Sequence, residues 1–174
     1  GLADAASAQG AAAGRRYAPG AFDSVAISGT ASVKLVQGSD DSVFVEGGDD
    51  AQNAVSLDVD DGVLRVRPGG AWKFWRSKEL QLTITSRDLK QLQISGAADV
   101  VATDPLRVRQ LLVKISGAGS VRLDKLKAER LEFTVSGLGT GQMSGAVDEL
   151  SVRISGRGSY LGENLASQQA TLVV

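Results

Sequence analysis

The stretch best equipped for contact chemistry is GGAWKFWRSKEL, residues 69–80. It sets Trp72, Phe74 and Trp75 beside Lys73, Arg76 and Lys78, and holds both tryptophans of the chain. Indole and phenyl faces stack on sugar rings, and a neighbouring cation grips an acidic group or the face of an aromatic ring. Trp72, Lys73, Phe74, Trp75 and Arg76 are therefore the candidate ligand-binding residues. The plainer use of the same side chains is to fold back as an apolar plug on the end of a stacked β structure.

The acidic clusters Asp40-Asp41, Asp49-Asp50 and Asp58, Asp60, Asp61 invite a calcium reading. Their spacing misses the EF-hand pattern, with no Glu at the end of the loop, and turn chemistry accounts for them better. Glycoside hydrolysis needs two carboxyl groups about 5–9.5 Å apart in a cleft. Asp99, Asp124, Asp148 and Glu163 are the acids to watch, and no Asp with a neighbouring cation recurs on one face. The chain has no His and no Cys, which removes Ser-His-Asp and Cys-His nucleophilic mechanisms, thiolate redox chemistry and imidazole or thiolate zinc sites. No Ser has Lys three residues on, so the Ser-x-x-Lys arrangement is missing too. No catalytic residue, metal site or cofactor is assigned. With 19 Lys+Arg against 20 Asp+Glu there is no basic field to attract nucleic acid or anionic lipid. The apolar runs are short and broken by charge, so no span across a bilayer is expected.

The elements that must position these residues announce themselves by repetition. Ser-Gly recurs at Ser28-Gly29, Ser95-Gly96, Ser116-Gly117, Ser136-Gly137 and Ser155-Gly156, and the last four glycines are 21, 20 and 19 residues apart. A period near twenty is that of a solenoid coil. Each pair follows an alternating run such as Leu111, Val113, Ile115 or Leu131, Phe133, Val135, which is the pattern of a strand with one buried face. A second short strand leaves the turn. The sequence thus predicts an all-β parallel solenoid of two-stranded coils, about twenty residues each, with two facing sheets. The five serines then stack as a corner ladder whose hydroxyls satisfy turn groups and one another, and the glycines allow φ > 0. A second ladder is expected at Ser32, Asp99, Ser120, Thr140 and Ser159. These are structural turn residues. Gly-x-Gly here fails as a phosphate cradle because no helix follows it.

Residues 21–91 are β-like but off the twenty-residue register, and are expected to form a hairpin-rich N-terminal cap, with residues 92–174 the regular part. VSLDVDDGVLRVRP, 55–68, is a hairpin around Asp60-Asp61-Gly62, and the runs 33–36 and 42–45 flank 38–41 in the same style. LQLTIT, 80–85, is a further strand. Residues 1–20 read as a mobile leader, the tail of a removed export signal, before a single domain over 21–174. The next Ser-Gly would fall about twenty residues past Gly156, so Val174 is expected to be a truncation or the last ordered residue of a longer protein.

ISGAGSV, ISGAADV and ISGRGSY in Leu-x-Val-x-Ile-Ser-Gly-x-Gly rungs, preceded by VSLDVDDGVLRVRP and LQLTIT, resemble the DUF2807 family, the head GIN domain of putative autotransporter adhesins. The likeness spans residues 21–174. It departs at Gly141, where other rungs carry Val or Tyr, and that is expected to loosen one rung. The resemblance implies an exported bacterial β-solenoid, periplasmic or at the cell surface, which serves as a non-catalytic binding or structural module. Its expected partners are a glycan or a cell-surface protein, or another copy through the solenoid edge strands. The rival from another class is a carbohydrate-active enzyme, a polysaccharide lyase or hydrolase on a related helix.

Overall fold

The computed structural model describes residues 13–70 and 80–174. In chain order the strands are β1 (Gly14–Tyr17), β2 (Ser24–Ile27), β3 (Ala31–Gln37), β4 (Ser42–Glu46), β5 (Val55–Asp60), β6 (Val63–Pro68), β7 (Leu80–Ser86), β8 (Gln91–Ile94), β9 (Asp99–Ala102), β10 (Leu106–Ile115), β11 (Ser120–Val135), β12 (Thr140–Ile154) and β13 (Ser159–Val173), with one short helix, α1 (Asp49–Asn53), after β4. Among the described residues all thirteen strands join one curled sheet.

The alternation dictates the coil. Every second residue of a rung points inward, and parallel pairing places each inward residue over its equivalent in the next rung. Ile27, Ile94, Ile115, Val135 and Ile154 stack in this way along the front wall, the first four essentially without solvent contact. On the back wall β3, β9 and the first legs of β11, β12 and β13 stack in parallel. The fold is the expected parallel β-solenoid. From β10 onward a single strand carries the chain round the corner opposite Ser-Gly. A register irregularity between Leu123 and Leu126 marks one bend, and the consecutive exposed pair Arg109 and Gln110, equivalent to Glu129 and Arg130, marks a second one further along the coil.

The N-terminal end is built from an insertion between β3 and β8. β6 pairs in parallel with β2 and β7 with β3, adding one more coil below the first. β5 then folds back on β6 through Asp61 (φ 51) and Gly62 (φ 74), the two positive φ values of a type I′ hairpin. The second expected hairpin does not form. β7 lies between β3 and β4, parallel to one and antiparallel to the other. Leu80, Leu82 and Ile84 of β7 continue the inward rows of Ala31, Val33 and Leu35, so the solenoid takes β3's free edge before β4 can. The 38–41 turn instead reaches across β7, with the Gly38 N–H donating to Ser86 O at 3.0 Å.

α1 links β4 of one wall to β5 of the other across the end of the stack, with Ala51 and Ala54 fully buried. Its Gln52 side chain donates to Val45 O (2.9 Å) and Gly47 O (3.0 Å) and accepts from the Tyr17 hydroxyl (2.6 Å). Tyr17 lies on β1, which pairs antiparallel with β4, so the sheet extends N-terminally of the boundary at 21 read from the sequence.

Candidate functional site

The Ser-Gly corner is held by backbone. Ser95, Ser116, Ser136 and Ser155 each donate an N–H to the residue before the preceding Ser-Gly, at 3.0, 2.9, 3.0 and 2.9 Å, and Ser28 donates to Val66 O at 2.9 Å. The hydroxyls of Ser28, Ser95 and Ser155 only graze those same carbonyls at 3.5, 3.4 and 3.5 Å, long for an O–H donor, and the expected serine-to-serine bonds are not formed. The glycines also serve differently from expectation. Only Gly29 and Gly156, towards the ends of the ladder, have positive φ, 89° each. At Gly96, Gly117 and Gly137 the reason is close approach: a Cβ would sit 2.3, 2.2 and 2.4 Å from the carbonyl oxygen of the glycine one coil below. The second ladder is in register, Ser32 to Asp99 to Ser120 to Thr140 to Ser159. There the Ser120 hydroxyl donates to Asp99 Oδ1 at 2.6 Å. Gly141 does not loosen its rung, because the Phe133 ring fills the space its side chain would take.

Where the coils bend, the outer surface carries a cleft of about 580 Å³ lined by Asp88, Lys90, Arg109, Gln110, Leu112, Arg130 and Glu132 among others. Its charges are organised along the stack. Arg130 donates to Glu132 on its own strand (2.8 Å) and to Glu149 one coil on (2.7 Å). Those bonds, Glu132's first, raise the guanidinium above its ordinary range. Arg109 reaches Glu129 at 3.1 Å. The cleft can therefore offer both signs of charge, with Leu112 as an apolar step, to an elongated polar ligand.

A second cleft, about 450 Å³, lies at the junction of insertion and stack and is lined by Phe22, Asp41 and Arg87, among others. The Asp41 side chain, 5% exposed, accepts from the Arg87 backbone N–H (3.0 Å), Arg87 Nε (3.1 Å) and Nη2 (2.9 Å), and the Phe22 N–H (3.3 Å). Burial pushes its carboxyl up, but the Arg87 and backbone donors outweigh that and hold it below the usual carboxylate range. Asp41→Asn is expected to cost about 2 kcal/mol at neutral pH, since it exchanges charge-assisted bonds for neutral ones. A depressed folded pKa gives stability that is present above the unfolded pKa of about 3.9 and disappears as pH falls through the folded value. Urea unfolding at pH 7 and in acid should show the variant and parent converging at low pH; a constant gap would refute the assignment.

The other acidic residues take structural places. Asp58 accepts from Arg65 at 2.6 Å and Arg67 at 2.9 Å, and Asp60 lies 3.7 Å from Arg65. Asp40 pairs with Arg16, Asp61 forms the hairpin turn, and Asp49 and Asp50 open α1, where the helix dipole favours them. Asp124 pairs with Arg122 at 3.1 Å. Asp99 sits on the back wall and Asp148 in a later bend of β12, apart from Asp124 and Glu163, which lie at equivalent irregularities two coils from each other.

Trp72, Lys73, Phe74, Trp75 and Arg76 lie outside the described residues. The strands on either side place the ends of their segment. β6, which ends at Pro68, pairs with β2, and β7, which begins at Leu80, pairs with β3, in the rung beside Ser28-Gly29. Pro68 Cγ approaches to 2.9 Å of where a Gly29 Cβ would be, and the Gly69 N–H donates to Ala54 O at 2.8 Å.

The model of the DUF2807 family, described as putative auto-transporter adhesin, head GIN domain, matches residues 21–174. The chain belongs to this family. Solved structures agree on the fold. A putative adhesin from Parabacteroides distasonis ATCC 8503 superposes with a TM-score of 0.65 at 19% identity, over 92% of this chain and 76% of that one. A putative lipid binding protein from the same organism gives 0.65 at 17%, over 92% and 77%. A putative adhesin from Bacteroides fragilis NCTC 9343 gives 0.55 at 16%, over 93% and 96%. No curated protein matches the chain. At these identities the shared property is the solenoid itself. No helix among the described residues is long and apolar enough to cross a membrane.

Proposed function

We propose that this DUF2807 member is an exported, non-catalytic binding module of the cell envelope, and that Trp72, Lys73, Phe74, Trp75 and Arg76 contact its ligand, a glycan or a cell-surface protein. The observation that carries this reading is that the strands on either side of the aromatic run, β6 up to Pro68 and β7 from Leu80, both pair in parallel with strands of the solenoid. In sequence the run between them sets both tryptophans of the chain beside Lys73, Phe74 and Arg76. α1 already covers the N-terminal end, which supports a contact role for the tryptophans over a plugging one. The adhesin descriptions of the family and of the similar structures support the same reading. The carboxylates that an enzyme would need are spread over different parts of the coils, or engaged with arginines as at Asp124.

The test is a glycan and polysaccharide panel read with the intact chain and with Trp72→Ala/Trp75→Ala. Stacking of a nucleobase on an aromatic side chain is worth about 1–3 kcal/mol; with a sugar ring on a similar scale, affinity should fall at least tenfold while the melting temperature stays within a few degrees. A marked loss of stability in the double variant would instead identify the tryptophans as core.

A further inference from the structure

Charge is spread unevenly about the coils. Three outward rows run side by side along the Ser-Gly corner. Two residues before each serine stand Ala26, Gln93, Lys114, Thr134 and Arg153, stacked rung over rung on the front wall. The serines follow, and just past each glycine come Thr30, Ala97, Ala118, Leu138 and Arg157, the last four kept in step by the backbone bonds of the corner. Over these five coils the three rows contain no Asp or Glu. They do contain Lys114, Arg153 and Arg157, all exposed and, among the described residues, without an ion-pair partner. Away from the corner, Arg130 is tied to Glu132 and Glu149, Arg109 to Glu129 and Arg122 to Asp124. A chain of net charge -1 thus keeps a strip of uncompensated positive charge along one corner.

The order along the first of these rows is regular. Ala26, the smallest residue in it, lies between Arg65 and Gln93 and makes a depression of about 160 Å³, lined also by Ser28, Arg67 and Ser95. Asp58 accepts from Arg65 Nε and Nη2 and from Arg67 Nη2, which leaves the Nη1 group of each arginine to face a ligand. Successive rungs then offer the Gln93 amide, the Lys114 ammonium, the Thr134 hydroxyl and the Arg153 guanidinium. Cationic and neutral hydrogen-bonding rungs alternate. Parallel rungs lie about 4.8 Å apart, so the cationic ones recur at about 9.6 Å. A β-linked pyranose advances its chain by roughly one such rung spacing, so an acid on every second sugar falls in step with them. Because sheet hydrogen bonds fix the spacing, little has to be ordered on binding. Duplex DNA, with a charge about every 1.7 Å of its axis, has no such match.

We propose that the Ser-Gly corner is the track for an extended acidic polysaccharide bearing a carboxylate on alternate sugars. The polymer lies along the solenoid axis, with successive acids over the Ala26 depression between Arg65 and Arg67, on Lys114 and on Arg153, and with the intervening sugars on Gln93 and Thr134. This deepens the reading of the chain as a glycan-binding module and rests on it, but does not need Trp72 or Trp75.

Hyaluronan oligosaccharides carry a carboxylate on every second sugar and serve as the probe, with their carboxyl-reduced form as the uncharged control. Calorimetric titration of the intact chain should show binding that weakens as salt is raised and is lost with the reduced form. Lys114→Gln/Arg153→Gln should weaken binding at least tenfold and leave the melting temperature unchanged, since neither cation is paired within the fold. Lys34→Gln/Lys127→Gln removes the same charge from other outward rows and should bind as the parent does. A parent that does not bind, equal binding of the reduced polymer, or equal losses in the two lysine-containing variants would overturn the proposal, the last by reducing the effect to net charge. Trp72→Ala/Trp75→Ala separates this site from the aromatic one. Hyaluronan binding kept there but lost in Lys114→Gln/Arg153→Gln leaves the corner standing without the tryptophans; the reverse pattern keeps the aromatic site and removes this one.

Discussion

Gly117→Ala is expected to cost the chain about 3–5 kcal/mol, a large share of the 5–15 kcal/mol available to a folded domain. The new Cβ would lie 2.2 Å from Gly96 O and 2.9 Å from Ser95 O, both backbone atoms of the coil below. Neither can swing aside as a side chain could. The coils must part by roughly an ångström at this corner, and the bonds that hold it there stretch together: Ser116 N–H to Ile94 O at 2.9 Å and Ala118 N–H to Gly96 O at 3.0 Å. Each buried backbone bond left unmade costs about 1–3 kcal/mol. At about 2–4 °C per kcal/mol for a chain of this size, the melting temperature should drop by of order 10 °C. The control is Gly48→Ala, whose Cβ meets nothing within 4 Å and which should change stability by less than about 1 kcal/mol. Thermal unfolding followed at the β-sheet circular dichroism band measures both. If Gly117→Ala melts within a couple of degrees of the parent, the rungs are not held by close backbone approach.

The same residue shows where sequence reading stops. Recurrence of Ser-Gly at about twenty residues marks a corner, because only a tight turn in a repeating coil needs that pair at that interval. Whether the glycine is there for its φ or for lack of a Cβ depends on the neighbouring coil, which the local sequence does not contain. The Asp61-Gly62 hairpin was readable because its turn chemistry is complete within two residues. The order β3, β7, β4 was not, since the competitor for β3's edge arrives more than forty residues later. α1 is five residues long, too short to display a helical period, and its Asp49 and Asp50 look like any acidic turn. The candidate site divides in the same way. Clustering of Trp72, Phe74 and Trp75 with cations is visible in composition. The Asp41 to Arg87 junction, 46 residues apart in sequence, has no local signal. Nor does Gln37, whose side-chain amide donates to Arg87 O (3.1 Å) and Arg107 O (2.8 Å) and accepts from the Arg107 N–H (2.8 Å), bridging two coils as a strand would.

Gly141 and Phe133 are expected to behave as one unit, with a large positive coupling in a double-mutant cycle. In the inward back row Gly141 replaces the Val100 and Val121 of earlier coils, and in the inward front row Phe133 replaces Val113 and Val152. The two departures compensate in volume. A Cβ on Gly141 would fall 2.5 Å from Phe133 Cζ, so the ring occupies the place of the missing side chain, and Tyr160 covers it from the last coil with ring centroids 5.5 Å apart. Gly141→Val alone overpacks a core with no room and should cost about 1–3 kcal/mol or more. Phe133→Val alone empties the space that the ring filled, strips Tyr160 of its ring contact and should cost about 2–4 kcal/mol. Together they restore the Val-over-Val arrangement of the neighbouring rungs. The double variant should therefore be more stable than the sum of the single effects by about 2 kcal/mol, towards the upper end of contact couplings. Urea unfolding of the four proteins gives the cycle directly. Additive losses would mean that the Phe133 ring and the Gly141 gap arose independently, and that the rung closes over its glycine in some other way.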